Sequence, residues 1–191
     1  MRLFIGISLP RAYQDLLGEL RAKWSKRFAS RLKWTKAGNW HLTLKFIGEY
    51  SEQGLWAIHK AMDGVDLRPL NVEAHGGGYF WSRGRIRVAW TGLQGNVADL
   101  TMIVSGLNAK LVFCGIPAES RAFKPHLTLF RVKYYKKDDP WNEFLQDLHE
   151  FNWPSFNVQS IKLWQSTLTK NGPVYDQLYS VQSRGENVQD K

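Results

Sequence analysis

A single cysteine, Cys114, is all the thiol chemistry that the 191-residue chain carries. It excludes an internal disulfide and any cysteine-built metal cluster, and it suits a reducing compartment in which a lone thiol serves as a small apolar side chain. Long apolar runs are missing as well. None approaches the roughly 18 residues that cross a bilayer, and the opening "MRLFIGISLP" lacks both the apolar stretch and the small-residue cleavage site of a secretory leader. The expectation is a cytoplasmic protein with no membrane partner. Low-complexity segments and linkers are absent too, so residues 1–191 are expected to form one globular domain and to act as a monomer, with the polar tail 184–191 frayed.

Acidic residues are the other scarcity: 17 Asp and Glu stand against 26 Lys and Arg, for a net charge of +9. This favours a polyanionic partner. The cations gather in "RAKWSKRFASRLK" (21–33), "RGRIR" (83–87) and "KYYKK" (133–137). A solvated basic face is the plain alternative, but aromatics interleave with the charges at Trp24, Tyr134 and Tyr135, which favours nucleic acid. Aromatics make up 14% of the chain, nine of them Trp, enough large rings for one substantial core.

Periodicity gives the order of elements. A strand over 2–9 is closed by Pro10, and a helix follows over 11–28 with Leu16, Leu17, Leu20 and Trp24 at helical spacing. A short extended piece at 32–34 leads into a strand over 40–47, and Ser51 opens a second helix running to Met62. The stretch 69–93 reads as a hairpin turned at "SRG", 97–112 as a helix, and "FKPHLTLFRV" as a strand. Pro140 then stands at the first turn of a further helix, and "FNVQSIKLWQSTL" and "VYDQLYSVQS" close the chain as two strands. The second half repeats the order of the first. The fold class is therefore α+β: two related lobes of antiparallel sheet with outer helices, a pseudo-twofold relation, and a groove between them.

The tetrad His-Leu-Thr-Leu occurs in both halves, at 41–44 and 126–129. Alternation along a strand puts His41 and Thr43 on one face and Leu42 and Leu44 on the other, and likewise His126 and Thr128 against Leu127 and Leu129. If the lobes face each other, two imidazoles and two hydroxyls line one groove. Imidazole titrates near pH 6.5, so one histidine can serve as acid while the other serves as base, and the threonines can donate to phosphate oxygens. Zinc is the competing idea, but the tetrads lack the third and fourth ligands that it requires, and neither a metal nor a cofactor is expected. Lys45 falls on the His41 face by alternation and is a candidate phosphate contact. The remaining histidines, His59, His75 and His149, have no partner pattern, and "GGGYF" reads as a bulge or turn.

The paired motifs, with the opening "RLFIGISLP", the "GYFWSRGRIRVAWTGL" block and the closing "SIKLWQSTLTKNGPVYDQL", resemble the two-histidine (2H) phosphoesterase superfamily, in its RNA 2′,3′-cyclic phosphodiesterase branch, also called 2′-5′ RNA ligase. The resemblance covers nearly the whole chain. It implies His41 as proton donor, His126 as acceptor, Thr43 and Thr128 as phosphate-holding residues, and Arg131 as a cation near the phosphate. Strict alternation places Arg131 opposite His126, so that role requires a twist or bulge. The implied activity is metal-independent opening of a 2′,3′-cyclic phosphate at an RNA end to a 2′-phosphomonoester, with 2′-5′ ligation by the same groups. Turnover of small cyclic nucleotides or nucleotide-sugar cyclic phosphates, or binding of RNA ends without chemistry, are the alternatives.

Overall fold

The structure is a computed structural model and describes residues 1–170 and 172–184. Nine strands and four helices follow in the order β1 (Arg2–Ser8), α1 (Arg11–Trp24), β2 (Arg31–Trp34), β3 (His41–Glu49), α2 (Leu55–Asp63), β4 (Leu70–Ser82), β5 (Arg85–Gly95), α3 (Val97–Val112), β6 (His126–Tyr134), α4 (Trp141–Glu150), β7 (Ser155–Val158), β8 (Ser160–Thr169) and β9 (Gly172–Gln182). All pairings are antiparallel, and the strands line up as β7-β4-β5-β6-β3-β1-β8-β9 with β2 added on β6. One lobe holds β3, β1, β8 and β9; the other holds β2, β6, β5, β4 and β7.

The lobes meet at the two motif strands. β3 and β6 pair through Leu42 and Leu127, and further along its length β6 pairs with β2 instead, from Phe130 to Tyr134. The sheet thus opens from one leucine bridge in its middle. Behind that bridge the motif leucines Leu42, Leu44, Leu127 and Leu129 are almost wholly buried, as alternation requires.

Each lobe's core is closed by one helix from each half of the chain. α1 follows β1 but packs on the other lobe: the Tyr13 hydroxyl donates to Pro154 O and accepts from Ala74 N–H, and the Trp24 ring meets Phe144 of α4 edge-on at 5.2 Å. Phe144 in turn lies 5.3 Å from Phe130 of β6. Conversely, the chain following α3 reaches back to the first lobe, where the Tyr50 hydroxyl donates to Cys114 O and the Cys114 thiol contacts Ala57 O. The exchange ties the lobes together through aromatic packing, each fully buried ring contributing about 1.5–3 kcal/mol.

Several boundaries differ from the sequence reading. "FNVQSIKLWQSTL" is two strands at distant positions in the sheet, since β7 pairs with β4 while β8 pairs with β1. The buried residues change parity there, from Phe156 and Val158 to Ile161 and Leu163, so one continuous strand could not have buried both pairs. α1 ends at Trp24, short of the expected 28, and the segment after Ser51 begins as a 3-10 turn at Glu52–Gly54 before α2. "GGGYF" does carry an irregularity, between His75 and Gly78. The expected frayed tail lies outside the described residues except for Arg184, whose N–H donates to Leu67 O. No helix among the described residues is long and apolar enough to cross a membrane.

Candidate active site

Each motif strand carries a bulge one residue past its threonine. In β3, Thr43 faces Gly6 and Lys45 faces Ile5, leaving Leu44 without a partner; in β6, Thr128 faces Trp90 and Phe130 faces Ala89, leaving Leu129 without one. Two residues against one restart the alternation in the opposite phase. Phe46 and Arg131, five positions after their histidines, therefore come onto the histidine face, and both are exposed there. Lys45 goes the other way. It is 5% exposed and its ammonium donates to Pro117 O at 2.8 Å, so the alternation argument that offered it as a phosphate contact is corrected by the bulge.

The first bulge depends on a glycine. At Gly6 a Cβ would stand 2.7 Å from the Leu42 carbonyl oxygen, so β1 can press this closely on the motif strand only without a side chain.

The two imidazoles are held alike. His41 Nδ1 lies 2.8 Å from Asn39 O, and His126 Nδ1 lies 2.7 Å from Lys124 O. A carbonyl only accepts, so each Nδ1 carries the hydrogen and each Nε2 is the nitrogen left for proton transfer. Aromatic rings wall both: Phe4 at 4.7 Å and Tyr175 at 5.2 Å from the His41 ring, and Phe80 at 5.0 Å from that of His126. Burial accordingly pushes His41 below the usual histidine range; its carbonyl partner works against this, and the charge of His126 adds to the depression. His126 is also lowered, first by burial, against its own carbonyl partner, and then by the cations Lys124 and Arg131.

A cavity of about 310 Å³ lies beside this pair, lined by His41, Thr43, Thr128 and Arg131 with Phe4, Phe46 and Tyr175. Lys33, Lys36 and Lys133 also reach it. His126 does not line the cavity; it stands two residues before Thr128 on the same strand face. The Arg131 charge acts on His126 and also on Tyr175, whose hydroxyl burial raises and Arg131 and Arg2 pull back down. The sequence reading thus finds five of its six site residues on the groove face. It missed Phe4, Phe46, Phe80 and Tyr175, which carry no signal except, for Phe46, its place matching that of Arg131. The other histidines lie apart: His59 stacks on Tyr179 at 4.1 Å, and His75 faces His149. A larger cavity, near 1200 Å³ and lined by residues such as Asp66, Met102 and Lys110, has none of the six in its lining.

The LigT like Phosphoesterase family model matches the chain twice, over residues 7–90 and 93–175, so that each match holds one motif. The chain belongs to the LigT-like phosphoesterase family. It is 33% identical to the RNA 2′,3′-cyclic phosphodiesterase of Thermotoga maritima, with 97% of each chain covered. Against the RNA 2′,3′-cyclic phosphodiesterase of Methanocaldococcus jannaschii the identity is 32%, over 92% of this chain and 97% of that one. Among solved structures, TT0787 of Thermus thermophilus superposes with a TM-score of 0.79 at 27% identity, covering 97% of this chain and all of the other. This LigT-like phosphoesterase shares with it the α+β fold of antiparallel sheet and helices.

Proposed function

We propose that the chain opens 2′,3′-cyclic phosphates at RNA 3′ ends to 2′-phosphomonoesters, without a metal. The observation that carries the reading is the matched tethering of His41 and His126 through Nδ1, which leaves the Nε2 of each for proton transfer on the strand faces that carry the two threonine hydroxyls. Lys124 and Arg131 act on His126 and favour it neutral, which suits it to be the base. In the first step His126 Nε2 takes a proton from water as its oxygen bonds to phosphorus. The P–O3′ bond breaks and His41, in its imidazolium form, gives its Nε2 proton to O3′, leaving a 2′-phosphate and a 3′-hydroxyl. Thr43, Thr128 and Arg131 hold the non-bridging oxygens. Proton exchange with solvent then resets both imidazoles. With an RNA 5′-hydroxyl in the place of water, the same opening leaves a 2′-5′ linkage.

RNA as the substrate rests on the relatives named RNA 2′,3′-cyclic phosphodiesterase and on the basic rim of the groove. The cavity, at about 310 Å³, is near the lower limit for small-ligand sites and supports cyclic mononucleotides as a second substrate class. The test is phosphorus NMR of the product from a short oligoribonucleotide ending in a cyclic phosphate, with chelator present. A 2′-phosphomonoester formed at an undiminished rate is expected. A 3′-phosphate would withdraw His41 as the acid, and loss of activity in chelator would withdraw the metal-free mechanism.

A further inference from the structure

The tip of the β4–β5 hairpin is built against its own backbone preference. Ser82 and Arg85 pair across a two-residue turn whose central residues, Arg83 and Gly84, have φ values of +52° and +70°. Such a turn takes Asn, Asp or Gly at its first central position, where the left-handed conformation is least strained. Arg83 is the one residue other than glycine with positive φ among the described residues. A charged, flexible side chain held where a small one folds more easily points to a use for the charge.

The surroundings say what that use is. Ser82, Arg83, Arg85 and Arg87 line an open concavity of about 570 Å³, separate from the groove cavity. All three arginines are exposed, and among the described residues none pairs with a carboxylate. A solvated surface would interleave opposite charges at such a density; this one converges one sign on a hollow. Trp81, 59% exposed, stands next to it.

The hollow also continues the rim of the groove. Lys33 and Arg131 are register partners on β2 and β6, Arg131 is the partner of Val88 on β5, and Lys133 follows on the same face. The cations therefore run from the histidine face toward the hairpin tip. Phe80, which walls His126, lies three residues from Arg83, or about 10 Å of extended strand. A few nucleotides span that distance. The opposite wall of the groove carries Phe4, Phe46 and Leu168 together with the cation Arg2.

We propose that Arg83, Arg85 and Arg87 form a second phosphate-binding site, which grips the backbone of the RNA strand upstream of its cyclic end. The inference rests on the RNA reading above and adds to it a site that a mononucleotide cannot reach. It makes substrate length, and not the terminal nucleotide alone, a determinant of affinity.

The test compares a dinucleotide with a long single-stranded oligoribonucleotide. Both end in a cyclic phosphate for kinetics and in a 2′-phosphate for direct binding by fluorescence anisotropy. The variants are Arg83→Asn, which suits the turn, and the triple variant Arg83→Asn/Arg85→Thr/Arg87→Thr. Arg83→Asn is expected to melt no lower than the parent chain and to bind the oligonucleotide more weakly. In the triple variant KM for the oligonucleotide rises several-fold, the dinucleotide is turned over as before, and the salt slope of oligonucleotide binding shrinks by about 0.7 for each phosphate that the arginines no longer neutralise. An unchanged oligonucleotide KM and salt slope would overturn the proposal, as would equal losses for both substrates. If the parent chain hydrolyses neither substrate but the variants still weaken oligonucleotide binding, the hydrolytic reading fails and the phosphate site stands.

Discussion

Phe46 and Arg131 occupy one position twice, five residues after each motif histidine and just past a bulge that turns them onto the groove. The two halves share the backbone device and differ in what it delivers: a ring on one side, a cation on the other. That asymmetry separates two otherwise equivalent histidines, because the cation acts on His126.

Exchanging Arg131 and Lys45 in turn separates a groove cation from a structural one. Arg131→Met should lower turnover by roughly 10- to 150-fold, the range for a hydrogen bond to a charged group, and leave the fold intact. Lys45→Met should do the reverse. It strands Pro117 O, which costs about 1–3 kcal/mol in denaturant-measured stability, and leaves kcat within a few-fold of the parent. A Lys45 variant that is stable but inactive would return Lys45 to the groove.

Both motif histidines lie below the ordinary 6.5, His41 and His126 alike chiefly through burial. The singly protonated pair is most populated between its two macroscopic pKa values, so kcat/KM should peak on the acid side of about pH 6.5. A bound phosphate favours the protonated forms, and the kcat profile should peak at higher pH than kcat/KM. The stability consequence has a fixed sign. With folded-state values depressed, the unfolded chain binds more protons below pH 6.5, so stability falls as pH drops through that value and through the folded pKa values. Replacing both histidines by Asn should flatten that fall in urea titrations at successive pH values, and an unchanged slope would contradict the burial of neutral imidazoles.

Gly6→Ala tests the contact that shapes the first motif. The new methyl would meet the Leu42 carbonyl at 2.7 Å, and the strand must shift, which costs about 1–3 kcal/mol and displaces His41 and Thr43 together. Turnover and melting temperature should both fall. Gly18→Ala, on an open face of α1 where a Cβ meets nothing within 4 Å, is the control and should stabilise slightly.

Thr43→Val and Thr128→Val each remove a hydroxyl and keep the branched shape that a strand accepts. Each should lower kcat/KM by roughly 10- to 150-fold for the loss of a donor to an anionic oxygen. Unaltered kinetics in both would remove the threonines from the site.

Much of this was legible in the chain. The repeated tetrad named four groove residues because period-two alternation holds between His and Thr, and the helix over Val97–Val112 was bounded by its own spacing. The bulges were not legible, since whether Leu44 or Leu129 pairs is decided by how β1 and β5 lie against the motif strands. Lys45 was misplaced for that reason, and Arg131 needed a bulge that only the partner strand could reveal. The packing of α1 on the lobe opposite its own strand is likewise a property of the assembled sheet. The break between β7 and β8 is different: the parity change from Val158 to Ile161 was present in the sequence, but an unbroken run of strand-forming residues concealed it.

The most direct test of the division of labour replaces O3′ of the cyclic phosphate by sulfur, a leaving group that departs without a proton. His41→Ala and His126→Ala should each lose at least ~10²-fold on the oxygen substrate. On the sulfur substrate His41→Ala should recover to near the parent rate, because the acid is no longer needed, while His126→Ala stays impaired for want of a base. Recovery of His126→Ala instead, or of neither variant, would contradict the assignment of His41 as the acid that releases O3′.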